Sequence, residues 1–156
     1  MFVLRAAQAG VRLNTGVDVM NINMKRVFIG GLVAGLVINV IGILLVPVVG
    51  KEMELVLATR NLPPMGVGAM LYFVTVSLVL GIVLVWLYAA ILPQMGHGTK
   101  TAIIASAIVW FLAYFLANVS MVAYGFMPAK LTAIGTSWGL VELLVAGVVG
   151  TRLYKD

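Results

Sequence analysis

The chain has 156 residues, of which 63% are hydrophobic and only 10% are charged, whereas soluble globular domains average about 45–50% apolar and about 25% charged residues. This composition excludes an ordinary soluble domain and indicates an integral membrane protein with room for four spans of about 20 residues each. With no cysteine and a single histidine, His97, the chain cannot form disulfides, thiolate metal sites or a haem held by two of its own histidines, so we predict no metal site and no cofactor.

The N-terminal segment 1–24 differs from the rest of the chain, because it mixes charged residues with Gly and Asn and contains no long apolar run. It is not a secretory signal peptide, since no apolar centre and cleavage site follow its charges. A disordered tail, a short interfacial helix over 2–13, or an overextended start remain open. Translation from Met20 or Met24 instead of Met1 would still give a complete membrane protein. We expect a poorly ordered or non-native extension.

Four long apolar runs follow, and they define a membrane domain over 25–156. They predict an all-α fold, a four-helix transmembrane bundle with spans at about 27–46, 67–92, 101–124 and 131–153. Prolines near the span ends fit their tolerance in the first helical turn and their role in stopping helices. Within the first connection, residues 51–60 are compatible either with a short amphipathic helix on the membrane surface or with a solvated loop.

The other two connections are so short that neighbouring spans must form antiparallel hairpins. Lys and Arg residues predict the orientation, because they accumulate on the cytoplasmic side of short loops. The predicted N-terminal side has more of them: Arg5, Arg12, Lys25, Arg26, Lys100, Arg152 and Lys155, against Lys51, Arg60 and Lys130. We therefore expect both termini to be cytoplasmic. We interpret the net charge of +5 as topology and contact with anionic lipid rather than nucleic-acid binding.

Glu142 is the only acidic residue in any of the four spans. A carboxylate at the centre of a span costs about 2.5–3.5 kcal/mol on insertion scales, so it is expected to face the bundle interior and to have a partner. At about 1.5 Å per residue, Asn39 lies about 18 Å and Glu142 about 17 Å from the cytoplasmic ends of their spans. We expect Asn39 to hydrogen-bond Glu142. Ser77 and Tyr114, at about 20–21 Å, are candidates to complete a polar layer.

Small residues recur at helical spacing around both polar residues. Such stripes let helix backbones approach closely in membranes, and they predict that spans one and four pack through these faces. The stripes consist of Gly31, Gly35 and Gly42 in span one, and of Gly135, Gly139, Ala146 and Gly150 in span four. Two interpretations of Glu142 stay open: a structural, protonated hydrogen-bonding residue, or a group that handles protons or cations.

Motifs of enzymes are missing from the sequence. There is no phosphate-binding glycine loop followed by Lys-Ser/Thr, no serine elbow and no zinc-protease helix motif. His97 lies in Pro93-Gln94-Met95-Gly96-His97-Gly98, which is typical of a turn at the interface. We therefore predict that the protein is not an enzyme.

Several stretches together resemble a family of small bacterial four-span integral membrane proteins with no assigned function. The similarity covers about 25–156 and implies a multi-pass protein of the bacterial inner membrane. It is carried by Gly30-Gly31-Leu32-Val33-Ala34-Gly35-Leu36-Val37-Ile38-Asn39, Trp86-Leu87-Tyr88-Ala89-Ala90-Ile91, Lys100-Thr101-Ala102, Trp110 and Trp138-Gly139-Leu140-Val141-Glu142.

Two functions follow as hypotheses. The first is an accessory or structural membrane subunit that acts through helix packing, with the lipid bilayer and a homo-oligomer or a larger membrane complex as its partners. The alternative is a proton- or cation-coupled small transporter or channel component centred on Glu142. Since four helices enclose little volume, such a component would have to work as an oligomer. Access of water to Glu142 distinguishes the two.

Overall fold

A computed structural model describes residues 22–154, so the predicted N-terminal extension lies almost entirely outside the described residues. The described chain is helical and contains no strand. It has four helices long and apolar enough to cross a membrane, which confirms the four predicted spans at this level. They are α1 (Met24–Thr59), α2 (Val67–Met95), a third span (Thr99–Ala123) and α5 (Ala129–Thr151).

The third span is interrupted by a π-helical turn. It consists of α3 (Thr99–Trp110), the π turn (Phe111–Phe115) and α4 (Leu116–Ala123). A π turn closes its hydrogen bonds from residue i to i+5, and such turns occur mostly as single insertions in α-helices, frequently at functional sites. Here Leu116 N–H donates to the carbonyl of Phe111. The sequence analysis predicted the span but not this interruption.

Helix α1 is longer than predicted. The predicted span ended near Pro47, but the helix continues through this proline to Thr59. Residues 51–59 are therefore neither a separate surface helix nor a loop. With 36 residues and about 1.5 Å per residue, α1 is about 54 Å long and exceeds the hydrocarbon thickness of about 30 Å. Pro93 is likewise inside α2, which ends at Met95 rather than at residue 92.

Hydrogen bonds between distant residues define two ends of the bundle. At one end, which we call the termini end, Asn23 N–H donates to the Tyr154 hydroxyl at 3.3 Å. At the other end, which we call the loop end, Arg60 Nη2 donates to the carbonyl of Gly125 at 2.8 Å. Between these ends, α1 packs against α2 and α5, and α3 packs against α5 and α2.

The glycines of α1 face two different neighbours, which corrects the predicted packing. An added Cβ at Gly35 would lie 2.5 Å from Leu78 Cα, so Gly35, like Gly31, faces α2 rather than α5. A Cβ added at Gly81 of α2 would collide with backbone atoms of both Gly31 and Gly35. These glycines allow α1 and α2 to touch backbone to backbone, which favours packing where the surrounding lipid is as apolar as the side chains.

Spans one and four do meet, as predicted, and Gly150 of the predicted stripe lies at this contact, but opposite Gly30 and Ala34 rather than Gly31 and Gly35. An added Cβ at Gly150 would lie 2.7 Å from Ala34 Cβ and 2.7 Å from the carbonyl oxygen of Gly30. Ala146 has no exposed surface. Gly135, by contrast, has no heavy atom within 4 Å of such a Cβ, so its predicted packing role is wrong.

Burial is concentrated towards the termini end. The fully buried apolar residues lie in α1 up to residue 38, in α2 from residue 84, in α3 before the π turn and in α5 from residue 143. Those that are 0% exposed are Val27, Ala34, Leu84, Val85, Ala105, Leu143 and Ala146. Towards the loop end, every residue in 60–76 is exposed. The tightly packed half therefore ends close to the level of Glu142.

Candidate intramembrane polar site

Glu142 lies on the inner face of α5 and is only 5% exposed. Its Oε2 accepts a hydrogen bond from the Tyr114 hydroxyl at 3.4 Å. The expected bond to Asn39 is not formed, because Asn39 Nδ2 donates to the carbonyl of Gly35 at 2.9 Å and reaches that of Val74 at 3.5 Å. Asn39 thus returns to the backbone of its own helix, and Glu142 is linked to span three rather than to span one.

Helix α1 faces Glu142 through Gly42. A Cβ added at Gly42 would lie 3.4 Å from Glu142 Oε1. Apart from the neighbouring residues of α1 itself, no other heavy atom of the described chain would lie within 4 Å of that Cβ. Oε1 of Glu142 accepts no hydrogen bond from the described residues. It is nevertheless not fully buried, because Arg26 Nη1 is the one side-chain polar atom among the described residues that is both fully buried and without a partner. Oε1 therefore keeps some accessible surface.

Tyr114 reaches Glu142 from the π turn of the third span. Its ring lies directly over Gly139, since an added Cβ there would be 2.5 Å from Tyr114 Cδ1. Gly139 was predicted to pack against span one, whereas the atoms nearest to its added Cβ belong to Tyr114 of span three. The glycine instead makes room for the tyrosine ring, so that one side chain of span three can cross the face of α5.

Ser77 does not join the pair. Its hydroxyl donates to the carbonyl of Phe73 at 2.9 Å, four residues earlier in the same helix. Thr75 makes the equivalent bond to Leu71 at 2.8 Å. Such back-bonding satisfies a hydroxyl within its own helix. The predicted layer of four polar residues is thus reduced to Glu142 and Tyr114.

Three further hydrogen bonds, none of them predicted, tie α5 to its neighbours. Trp110 Nε1 donates to the carbonyl of Thr136 at 2.8 Å, and Asn118 Nδ2 donates to the Thr136 hydroxyl at 2.8 Å. Trp138 Nε1 donates to the carbonyl of Ile41 in α1 at 3.1 Å. A usable signal was present in the sequence: Trp110, Tyr114 and Asn118 recur every four residues, and all three bond to α5.

A second buried polar contact lies nearer the termini end. Ser106 is fully buried, and its hydroxyl donates to the carbonyl of Ala102 at 2.8 Å. An added Cβ at Gly147 would collide with Ser106 Oγ. Only glycine therefore fits opposite this serine, and the sequence analysis overlooked both residues.

The described residues contain no group of three or more His, Cys, Asp or Glu side chains able to hold a metal ion. No family model, no curated protein and no solved structure matches the chain. The resemblance to small bacterial four-span proteins therefore stays a prediction.

Proposed function

We propose that the chain is a multi-pass membrane protein that acts as an accessory or structural subunit through helix packing. The observation that carries this proposal is how the polar side chains of the spans are used. Asn39, Thr75, Ser77, Trp110 and Trp138 all donate to backbone carbonyls. The two tryptophan bonds run between helices, and interhelical hydrogen bonds in membranes average about 0.6 kcal/mol each. Asn39, Thr75 and Ser77 are satisfied mainly within their own helices, so none of these polar groups is left over for a substrate.

The orientation belongs to the same proposal: hairpins of antiparallel spans with both termini cytoplasmic. The order of contacts supports it. Along α5, Glu142 meets Gly42 and Gly150 meets Gly30, so the numbering falls in α1 as it rises in α5. Seven of the ten Lys and Arg residues belong to the predicted cytoplasmic side, which favours this sidedness. The resemblance supports a bacterial inner membrane.

One observation favours the second candidate function, a proton- or cation-coupled component of an oligomer. Glu142 Oε1 has no donor among the described residues, keeps some accessible surface, and lies 3.4 Å from the position of a Cβ added at Gly42. A purely structural carboxyl would be expected to use both oxygens, because an unsatisfied polar group in hydrocarbon costs several kcal/mol. Glu142 could bind a proton or a cation at this oxygen.

Ion flux in proteoliposomes tests both functions. Wild type, Glu142→Gln and the control Glu54→Gln are reconstituted with a pH-sensitive dye inside the vesicles. Equal background flux of protons and cations in all three supports the structural role. A wild-type flux that is retained in Glu54→Gln and lost in Glu142→Gln overturns it in favour of the second candidate.

The subunit role also makes a claim about assembly. Extracted from native membranes in mild detergent, the protein should sediment with a protein mass well above the 16.6 kDa of one chain. A protein mass equal to one chain at every detergent concentration would contradict the accessory role.

A further inference from the structure

A cavity of about 320 Å³ opens at the termini end of the bundle. Its wall includes Tyr88 from α2, Gly98 and Thr99 at the start of α3, and Arg152 and Tyr154 after α5. This volume is at the lower limit of ligand pockets, which begin at about 300 Å³. The cavity is separate from Glu142, which does not line it.

The charge around this cavity is positive. Arg152 lines it, and no described acidic residue does. Lys25, Arg26 and Lys100 belong to the same end of the bundle. Arg26 Nη1 is the one fully buried side-chain polar atom in the range 22–154 that lacks a hydrogen-bond partner. Arg26 does not line the cavity, so it contributes positive charge to this end of the bundle but no direct contact to the site.

The start of the third span adds backbone donors to the same wall. Gly98 precedes the helix with a φ of 142°, and no side chain caps the first turn. The N–H groups of a first helical turn have no partner within the helix, and together with the helix dipole they favour a bound anion. Gly98 and Thr99 both line the cavity, so this helix start faces it.

Tyr88 gives an independent indication of a ligand. It is 4% exposed, and its hydroxyl accepts one long hydrogen bond, from Gly98 N–H at 3.5 Å. Its own O–H proton has no acceptor among residues 22–154. The hydroxyl of Tyr154, 5% exposed, likewise accepts from Asn23 N–H and donates to no described residue. Two buried hydroxyl donors on one cavity wall are complementary to an acceptor.

We propose that this cavity binds a phosphate group, either the headgroup of an anionic phospholipid or free phosphate. Arg152 supplies the charge, the first turn of α3 supplies N–H donors, and Tyr88 and Tyr154 supply O–H donors. Charge-assisted hydrogen bonds to phosphate oxygens are the strong class of hydrogen bond. Basic pockets between transmembrane helices on the cytoplasmic side are suited to anionic headgroups.

The test measures binding of the full chain in zwitterionic detergent. The probes are phosphatidylglycerol, phosphatidylcholine and inorganic phosphate, and thermal unfolding is followed at increasing concentrations of each. The variants are Arg152→Gln, at an exposed position, and Tyr88→Phe, which removes only the hydroxyl. The control is Lys51→Gln, an exposed cation in the part of α1 towards the loop end.

Wild type and Lys51→Gln should be stabilised by phosphatidylglycerol and not by phosphatidylcholine, and both cavity variants should bind about tenfold more weakly. Stabilisation by inorganic phosphate that both variants lose supports the site and identifies free phosphate as its ligand. Equal stabilisation by both lipids with no effect of phosphate, or an equal loss in Lys51→Gln, overturns the proposal. Unaltered affinity in Tyr88→Phe and Arg152→Gln would do so as well.

Discussion

The packing of α1 against α2 gives the sharpest prediction, because it is made by backbone atoms that cannot move aside. In Gly81→Ala, the new Cβ would lie 2.7 Å from Gly35 Cα, whereas ordinary van der Waals separation begins at 3.4 Å. It would also collide with the carbonyl oxygen of Gly31 and the nitrogen of Gly35. The two helices must therefore separate by at least about 0.7 Å, judged from the distance between the new Cβ and Gly35 Cα alone.

A gap of about 0.5–1 Å forfeits a quarter to a half of the dispersion energy of the atoms concerned. Overpacking of this kind costs about 1–3 kcal/mol, and the better helix propensity of alanine returns up to about 1 kcal/mol. Gly68→Ala is the matched control, since it lies in the same helix and has nothing within 4 Å of the added Cβ. Gly81→Ala should thus be about 1–3 kcal/mol less stable than Gly68→Ala.

The assay is reversible unfolding in mixed micelles at increasing dodecyl sulfate, followed by helicity and tryptophan fluorescence. Both variants replace glycine by alanine in α2, so most of the gain in helix propensity cancels when their free energies of unfolding are subtracted. If the two variants unfold at the same detergent fraction, the backbone packing between α1 and α2 does not exist as described.

Three further predictions concern the polar site and use the same unfolding assay. Gly139→Leu should destabilise the bundle by about 1–3 kcal/mol because it displaces the Tyr114 ring, whereas Gly135→Leu should be nearly neutral; equal losses would argue against this face. Tyr114→Phe and Glu142→Leu, each of which removes the hydrogen bond, should show a coupling of about 0.6 kcal/mol in a double-mutant cycle, and strictly additive effects would refute their hydrogen bond. Asn39→Leu should be additive with Glu142→Leu, and a clear coupling there would restore the original expectation.

The number and places of the spans could be predicted from the sequence, because about 20 apolar residues in a row are sufficient to identify each. The end of α1 could not. Pro47 removes one hydrogen-bond donor and disfavours a helix interior by about 3 kcal/mol. Helix-favouring residues after it, such as Glu52, Glu54 and Leu55, carry the helix on to Thr59.

The partners of the small residues were also beyond the sequence analysis. Helical periodicity gives the direction of a face around one axis, but not which helix lies opposite. Gly31 and Gly35 face α2 because Gly81, the single glycine in the middle of that span, lies opposite them. An isolated mid-span glycine would have been the signal to pair with a Gly-x-x-x-Gly motif.

The polar site was predicted in part. Glu142 was correctly expected to be buried, because a carboxyl exposed to hydrocarbon is costly. Matching depths suggested Asn39 as its partner, but depth ignores rotation about the helix axis. The side chain of Asn39 donates to the carbonyl of Gly35 in its own helix instead. Tyr114 lies in a π turn and donates to Glu142, and no pattern in the sequence predicted that turn.

The π turn also decides how three side chains line up. In a regular helix with 3.6 residues per turn, eight residues complete about 2.2 turns, so Trp110 and Asn118 would point about 80° apart. A π turn absorbs one additional residue, so the same eight residues advance about as far as seven do, which leaves an offset of only about 20°. The π turn thus keeps Trp110, Tyr114 and Asn118 on the face that contacts α5. Without it, Asn118 would be rotated away from α5 and towards the lipid.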